Sequence, residues 1–268
     1  MAALPVYENM LVSLKSGIAL LRFNRPRSGN SLHPLLLKDY LAAMKWASTT
    51  AEVKVIVQTG EGKFFSTGKD LIGEPTKDPD AAMHEYVDDF RALNEVLITC
   101  PKVKIAAVNG PAIGYGTTSL ALYDLVYAVP DAYFFTPFMK WGFCAEGCSS
   151  VTFVKIMGHQ KAAALLLAGE RMSADELYQA GLITKIIPSA NFLPEVLKIA
   201  GHITGYPPIA VEFTKRLMDQ TSTAELLATN ARECIGLRER FASKESLDTI
   251  DSYRRQQTEK LAAKQAKL

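Results

Sequence analysis

The chain has 268 residues, 48% of them hydrophobic and 22% charged, enough to bury a core as one large domain without metals or disulfides. Its 30 Lys and Arg stand against 28 Asp and Glu, a net charge of +2, which argues against nucleic acid held on a basic face and against a long disordered chain. Four cysteines in this length make no disulfide framework, so reduced thiols in a reducing compartment are expected.

Cys144 and Cys148 are close in sequence, but no further ligand lies nearby to complete a zinc site. The four histidines, His33, His84, His159 and His202, include no H-E-x-x-H pair, and G-x-S-x-G is absent. The amino-terminal segment lacks the basic start and apolar stretch of a signal peptide, and no apolar run is long enough to span a membrane.

Met10 to Leu14 and Ile18 to Phe23 alternate as strands around a turn at Lys15 to Gly17. Asn24 to Gly29 is a loop, and a helical period runs from Leu35 to Ala47. Val53 to Thr59 is a β-branched run of the kind found in buried parallel strands. A polar helix is predicted over Pro79 to Cys100. Val103 to Val108 is a second buried strand, followed by Asn109 to Gly114, a short helix, and strands at Asp124 to Ala128 and Tyr133 to Thr136. Beyond Ser149 the pattern is helical except at Ile183 to Ile187, and one long charged helix is predicted from Ala224 to Lys264. This order predicts an α/β core with a helical carboxyl-terminal region.

Lys63 to Asp70 invites a phosphate-loop reading. The spacing fails, because five residues separate Gly62 from Gly68 and Asp70 stands where Ser or Thr is needed. Two glycine segments, Ser66 to Asp70 and Asn109 to Gly116, each follow a buried strand and run into a helix. Ligands of α/β sheets bind at the carboxyl ends of strands, where turn N–H groups point outward. Two such turns side by side can aim two N–H groups at one oxygen, although two ordinary connections give the same pattern. Glu146 is a lone carboxylate among Trp141, Phe143, Cys144, Ala145 and Cys148. Apolar surroundings would raise its pKa and suit it to proton transfer, while the simpler alternative is a residue at a helix start.

The ordered motifs Asn24-Arg25-Pro26, Asn30-Ser31-Leu32, Phe64 to Asp70, Asn109 to Gly114, Asp124 to Tyr127, Thr136-Pro137-Phe138 and Glu146 to Ser150 resemble the crotonase (enoyl-CoA hydratase/isomerase) superfamily. The likeness runs over about residues 6 to 250, with Ser173 to Leu177 fitting the start of the helical cap. Within the superfamily, Thr136 to Phe138 and Glu146 to Ser150 look most like peroxisomal Δ3,Δ2-enoyl-CoA isomerases. The resemblance implies a spiral of ββα repeats in residues 1–200 and a helical trimerisation region in residues 201–268.

It also implies roles. The backbone N–H groups of Lys69 and Tyr115 would form an oxyanion hole, Ser66, Thr67, Gly68, Lys69, Asp70, Leu71 and Gly114 would line the acyl-CoA, and Glu146 would be the single acid/base. Thr118 and Phe138 occupy the positions of the two hydratase glutamates, so poor hydration is expected. Related chromatin corepressor domains carry Asp in place of Glu146, and the dienoyl-CoA isomerases use a further acid for which Lys140 to Ala145 offers none. The implied reaction converts cis- or trans-3-enoyl-CoA to trans-2-enoyl-CoA in β-oxidation of unsaturated fatty acids. A hydratase, a dienoyl-CoA isomerase, or a non-catalytic acyl-CoA-binding interaction domain are the alternatives. No metal or other cofactor is expected, CoA arriving with the substrate. Arg25, Arg27 and Lys69 are candidates for the CoA phosphates, and a homotrimer or hexamer is expected. The tripeptide Ala266-Lys267-Leu268 matches the peroxisomal address read by an import receptor, with the mitochondrion as the alternative location.

Overall fold

The computed structural model describes residues 4–71 and 79–265; Ala266-Lys267-Leu268 lies outside the described residues. Chain order begins β1 (Met10–Lys15), β2 (Ile18–Phe23), α1 (Pro34–Thr49), β3 (Val55–Gly60), α2 (Pro79–Thr99), β4 (Val103–Val108), β5 (Ala112–Ile113), α3 (Tyr115–Thr118), β6 (Leu125–Ala128) and β7 (Tyr133–Phe135). It continues with α4 (Ser149–Met157), α5 (His159–Leu166), β8 (Met172–Ser173), α6 (Ala174–Gln179), β9 (Lys185–Ile186), α7 (Phe192–Thr204), α8 (Pro208–Asp219), α9 (Thr223–Ala242) and α10 (Lys244–Gln265).

The main sheet has the order β1-β2-β3-β4-β6-β9. Only the β1–β2 pair is antiparallel, joined by the Ser16–Gly17 turn with both residues at positive φ. β3 is buried at every residue, as its β-branched composition demands of a strand covered on both faces. A small second sheet has the order β5-β7-β8. α1 starts at Pro34, where a missing N–H costs nothing, and the His33 ring accepts from the Leu35 N–H at 3.3 Å. It buries Leu36, Leu37, Tyr40, Leu41, Met44 and Ala47 at helical spacing. α2 packs between α1 and α9, and α7 lies on β2, β3 and β4. The expected boundary between residues 200 and 201 therefore falls inside α7, a helix of the sheet layer.

Two predicted elements are corrected. The pattern beyond Ser149 is broken not only at Ile183 to Ile187 but also by the strand β8, which pairs with β7. The helix expected from Ala224 to Lys264 is two helices, broken at Ser243, whose backbone is extended (φ −70°, ψ 142°). Its hydroxyl donates to Arg240 O at 2.7 Å and accepts from the Ser246 N–H at 3.3 Å, which ends one helix and caps the next. The break brings Arg240 Nε and Ser246 Oγ onto the Gly142 carbonyl, at 2.7 and 2.9 Å. Ser173, by contrast, starts α6 with a reciprocal capping box to Glu176.

Candidate active site

The loop after β3 and the turn after β4 meet at the carboxyl ends of their strands. Asn109 joins them: its Oδ1 accepts from the Gly60 N–H at 3.0 Å and its Nδ2 donates to Gly62 O at 3.0 Å. Asn30, at φ 54°, holds the same loop from the other side through Glu61 O and Phe64 O, at 3.0 and 2.8 Å. Glycine is required where the two turns touch. A Cβ on Gly68 would stand 2.7 Å from the Ile113 carbonyl oxygen, and Gly114 faces Gly68 Cα. Both have positive φ.

This contact sets two amides beside each other. Leu32 N–H donates to Gly68 O and Asp70 N–H to Leu32 O, so the intervening Lys69 N–H points to the opposite side. Gly114 N–H donates to Phe135 O, and Tyr115 is the first residue of α3. Among the described residues, neither the Lys69 nor the Tyr115 N–H has an acceptor.

Both residues line an inner pocket of ≈ 60 Å³ together with Glu146, Tyr86, Phe138, Trp141 and Phe241. Among the described residues, Glu146 is the one carboxylate that lines the pocket. Burial first, and then the charge of Glu233, push its pKa up from 4.5 to about 8, while the Lys69 ammonium pulls it down. The Thr118 hydroxyl adds a weak downward pull; it is buried beside Gly147 without a hydrogen bond of ordinary geometry. Of the two positions expected to lack hydratase acids, Phe138 lines the pocket with its ring, and Thr118 is a buried neutral hydroxyl that does not line it.

The predicted site residues divide by role. Thr67, Lys69, Leu71, Gly114, Tyr115 and Glu146 line the pocket. Ser66 and Gly68 line neither the pocket nor the groove outside it. Ser66 Oγ donates to Asn30 O at 2.9 Å and accepts from the Gly68 N–H at 3.2 Å, so it shapes the loop. Asp70 reaches only the outer groove, where it accepts from Arg25 at 3.1 Å and Ser31 at 3.0 Å.

That groove, ≈ 810 Å³, carries Arg25, Arg27, His33 and Lys140, and opens to the inner pocket past Thr67, Lys69, Leu71, Pro137 and Trp141. Lys69 departs from its expected use as a phosphate contact. Its ammonium turns inward, 3.4 Å from the Tyr86 ring centroid and 4.6 Å from that of Phe241. Burial lowers its pKa to about 8, against the pull of Glu146 and Asp70. Tyr115 also does more than lend its amide: its hydroxyl donates to Asn94 Oδ1 at 2.6 Å and its ring meets Phe90 edge-on at 4.7 Å.

Sequence reasoning missed the pocket wall from α2 and α9, namely Tyr86, Leu237 and Phe241, and it missed Glu233. These residues carry no motif; only the packing of α9 on α2 and α4 brings them to the site. The four thiols are free, and burial pushes Cys144 up to about 11 and Cys148 and Cys234 to about 12, so none is poised as a nucleophile. Among the described residues no cluster of His, Cys, Asp or Glu is arranged to hold a metal ion, and no helix is long and apolar enough to cross a membrane.

Residues 13–262 match the family model described as enoyl-CoA hydratase/isomerase. "Enoyl-CoA delta isomerase 2" of Rattus norvegicus is 36% identical over 255 residues, 92% of this chain and 63% of that one. "Enoyl-CoA delta isomerase 3, peroxisomal" of Mus musculus is 34% identical over 92% of this chain and 78% of its own length. The chain thus spans under two thirds of the rat relative. A solved enoyl-CoA hydratase from Mycobacterium avium subsp. paratuberculosis superposes with a TM-score of 0.84 at 29% identity, covering 92% of this chain and all of that one (100%).

Proposed function

The chain belongs to the enoyl-CoA hydratase/isomerase family, and from that premise we propose that it is a Δ3,Δ2-enoyl-CoA isomerase. The observation that carries this reading is that, among the described residues, Glu146 is the single carboxylate of an inner pocket also lined by Lys69 and Tyr115, whose amides have no protein acceptor. A hydratase of the type expected from the motifs needs two acids. Here Thr118 and Phe138 stand in those places.

In the proposed reaction the thioester oxygen accepts from the Lys69 and Tyr115 N–H groups. Ionised Glu146 takes a proton from C2. The electron pair delocalises onto the thioester oxygen, and the two amides bind it more tightly as charge grows. Protonated Glu146 returns the proton at C4, and the double bond moves from C3–C4 to C2–C3. One group acts as base and then acid, so the steps balance with no cofactor beyond the CoA of the substrate. The outer groove, with Arg27 and Lys140 on its rim, is the proposed seat of the CoA moiety. Arg25 is engaged with Asp70 and braces that groove.

The assay offers purified protein 3-hexenoyl-CoA, 2-hexenoyl-CoA and a 3,5-dienoyl-CoA. We expect the first to become trans-2-hexenoyl-CoA, with the other two at least about 10²-fold slower, the scale of a missing catalytic acid. Comparable hydration of 2-hexenoyl-CoA would make it a hydratase, and binding without turnover of any of the three would make it an acyl-CoA-binding module. Peroxisomal location is proposed from Ala266-Lys267-Leu268 and from the name of the mouse relative. A fluorescent chain ending at Leu268 should enter peroxisomes, and one ending at Gln265 should stay in the cytosol; equal import of both would assign targeting elsewhere.

A further inference from the structure

Glu146 is followed by two successive residues in the left-handed region, Gly147 (φ 62°) and Cys148 (φ 63°), immediately before α4. Glycine adopts that region freely. Cys148 does so at a cost, and the surroundings must hold it there. The holding group comes from 85 residues away. Glu233 of α9 accepts from the Cys148 N–H through Oε2 at 2.7 Å and from the Ser150 N–H through Oε1 at 3.0 Å. Its two oxygens thus tie the strained residue to α9 and satisfy amides at the start of a helix, where negative charge is favoured. Glu233 is 8% exposed and does not line the pocket.

We propose that Glu233 is a positioning residue for Glu146: it locks the left-handed turn that presents Glu146 to the pocket and sets a second buried negative charge behind it. Its part in catalysis rests on the isomerase reading above. The electrostatics agree. Glu233 is the largest charged contribution raising the Glu146 pKa. Glu233 itself is raised by burial, while its two amide bonds, Ser150 and Arg232 favour the ionised form. The other titratable groups facing Glu146 are Lys69, Tyr86 of α2, Tyr115 of α3, Cys144 and Cys234. Those facing Glu233 are Arg232, Cys144, Cys148 and Cys234. Of all these, Lys69 is the charged one that opposes Glu233 at the carboxyl of Glu146.

The test separates charge from clamp. The Glu146 carboxyl is followed by 13C NMR with labelled glutamate, its resonance identified by its loss in Glu146→Gln. In Glu233→Gln the Glu146 midpoint should fall by at least about half a unit, because a like charge has been removed. In Glu233→Asp the charge remains but withdraws by one methylene. There the midpoint should stay raised, while kcat on 3-hexenoyl-CoA falls at least about tenfold and KM stays within about threefold. An unmoved midpoint in a cooperatively melting Glu233→Gln protein, or wild-type kcat in Glu233→Asp, overturns the proposal. If the Gln variant does not fold, the Asp variant decides. If wild-type protein turns over no 3-enoyl-CoA, the isomerase reading fails, and the carboxyl titration still reads what Glu233 does to Glu146.

Discussion

Glu146 keeps its proton up to about pH 8 in the folded chain, against an ordinary 4.5. Across that window the native state binds a proton that the unfolded chain has released, so this residue's contribution to stability falls as pH rises. Lys69 changes charge in the native state only near the upper end, at about 8, and leaves the window largely to Glu146. The group that does the proposed chemistry is therefore one the fold holds at a cost. Glu146→Gln keeps the shape and removes the cost. We expect the variant to lose isomerisation by at least about 10²-fold, the range of a general acid/base. We also expect its Tm to gain on wild type progressively as pH rises from 4.5 to about 8. Calorimetry across that range checks it; a Tm difference that does not change with pH means Glu146 is ionised throughout. The isolation of this carboxylate among apolar neighbours was legible from Trp141, Phe143 and Cys144. Its second cause, Glu233, was not, because that carboxylate lies in an ordinary helical pattern 85 residues beyond Cys148, whose N–H it holds.

At the scale of elements, the short helix α3 does two jobs through one residue. Tyr115 offers its amide to the pocket, and its hydroxyl joins α3 to α2 at Asn94, whose Nδ2 donates to Asn230 of α9 at 3.0 Å. The glycine turns were readable because strand, glycine and helix follow each other in both segments. The side-chain chain Tyr115–Asn94–Asn230 was not, because it joins residues 21 and 136 positions apart. From sequence alone Tyr115→Leu looks mild. The structure makes it costly to stability, since it strands the buried Asn94 Oδ1 and vacates the contact with Phe90. Tyr115→Phe is the cleaner substitution. It should lose about 1–3 kcal/mol of stability through the orphaned Asn94. Its activity should stay within about tenfold of wild type, because the N–H remains. Tyr115→Pro removes the donor and should cost about 10²–10³ in rate while still melting cooperatively. A severe loss of rate in the Phe variant would give the hydroxyl a part in the chemistry. The break at Ser243 belongs to the same scale: a serine followed by Lys244 and Glu245 is a helix start, yet in sequence it is submerged in a continuous charged pattern.

The whole molecule leaves one helix turned outward. On α8 only Lys215 is buried, and it is tied to Asp124 at 2.6 Å and Asp219 at 2.9 Å. The apolar residues are on the other side. Ile209, Phe213 and Leu217 follow each other at four-residue spacing, which is one stripe of a helix, and are 81%, 50% and 53% exposed. Met218 beside them is 71% exposed. A contiguous exposed apolar stripe marks an interaction site, and we propose that a second copy of the chain covers this one. It supports the self-association proposed from the resemblance, in which the helices after residue 200 make the contacts. The stripe also explains why α8 keeps a buried lysine. With its apolar face turned out, α8 is anchored by ion pairs: Lys215 with Asp124 at the β6 end of the sheet, and Glu212 with Lys102 just before β4. Phe213→Glu with Leu217→Glu puts two charges into the stripe without touching the core. Each site is exposed, so the monomer's stability should change by less than about 1 kcal/mol. Sedimentation should find wild type as an oligomer and the double variant as a folded monomer. If wild type itself sediments as a monomer, the stripe is not an assembly surface and the oligomer proposal falls with it.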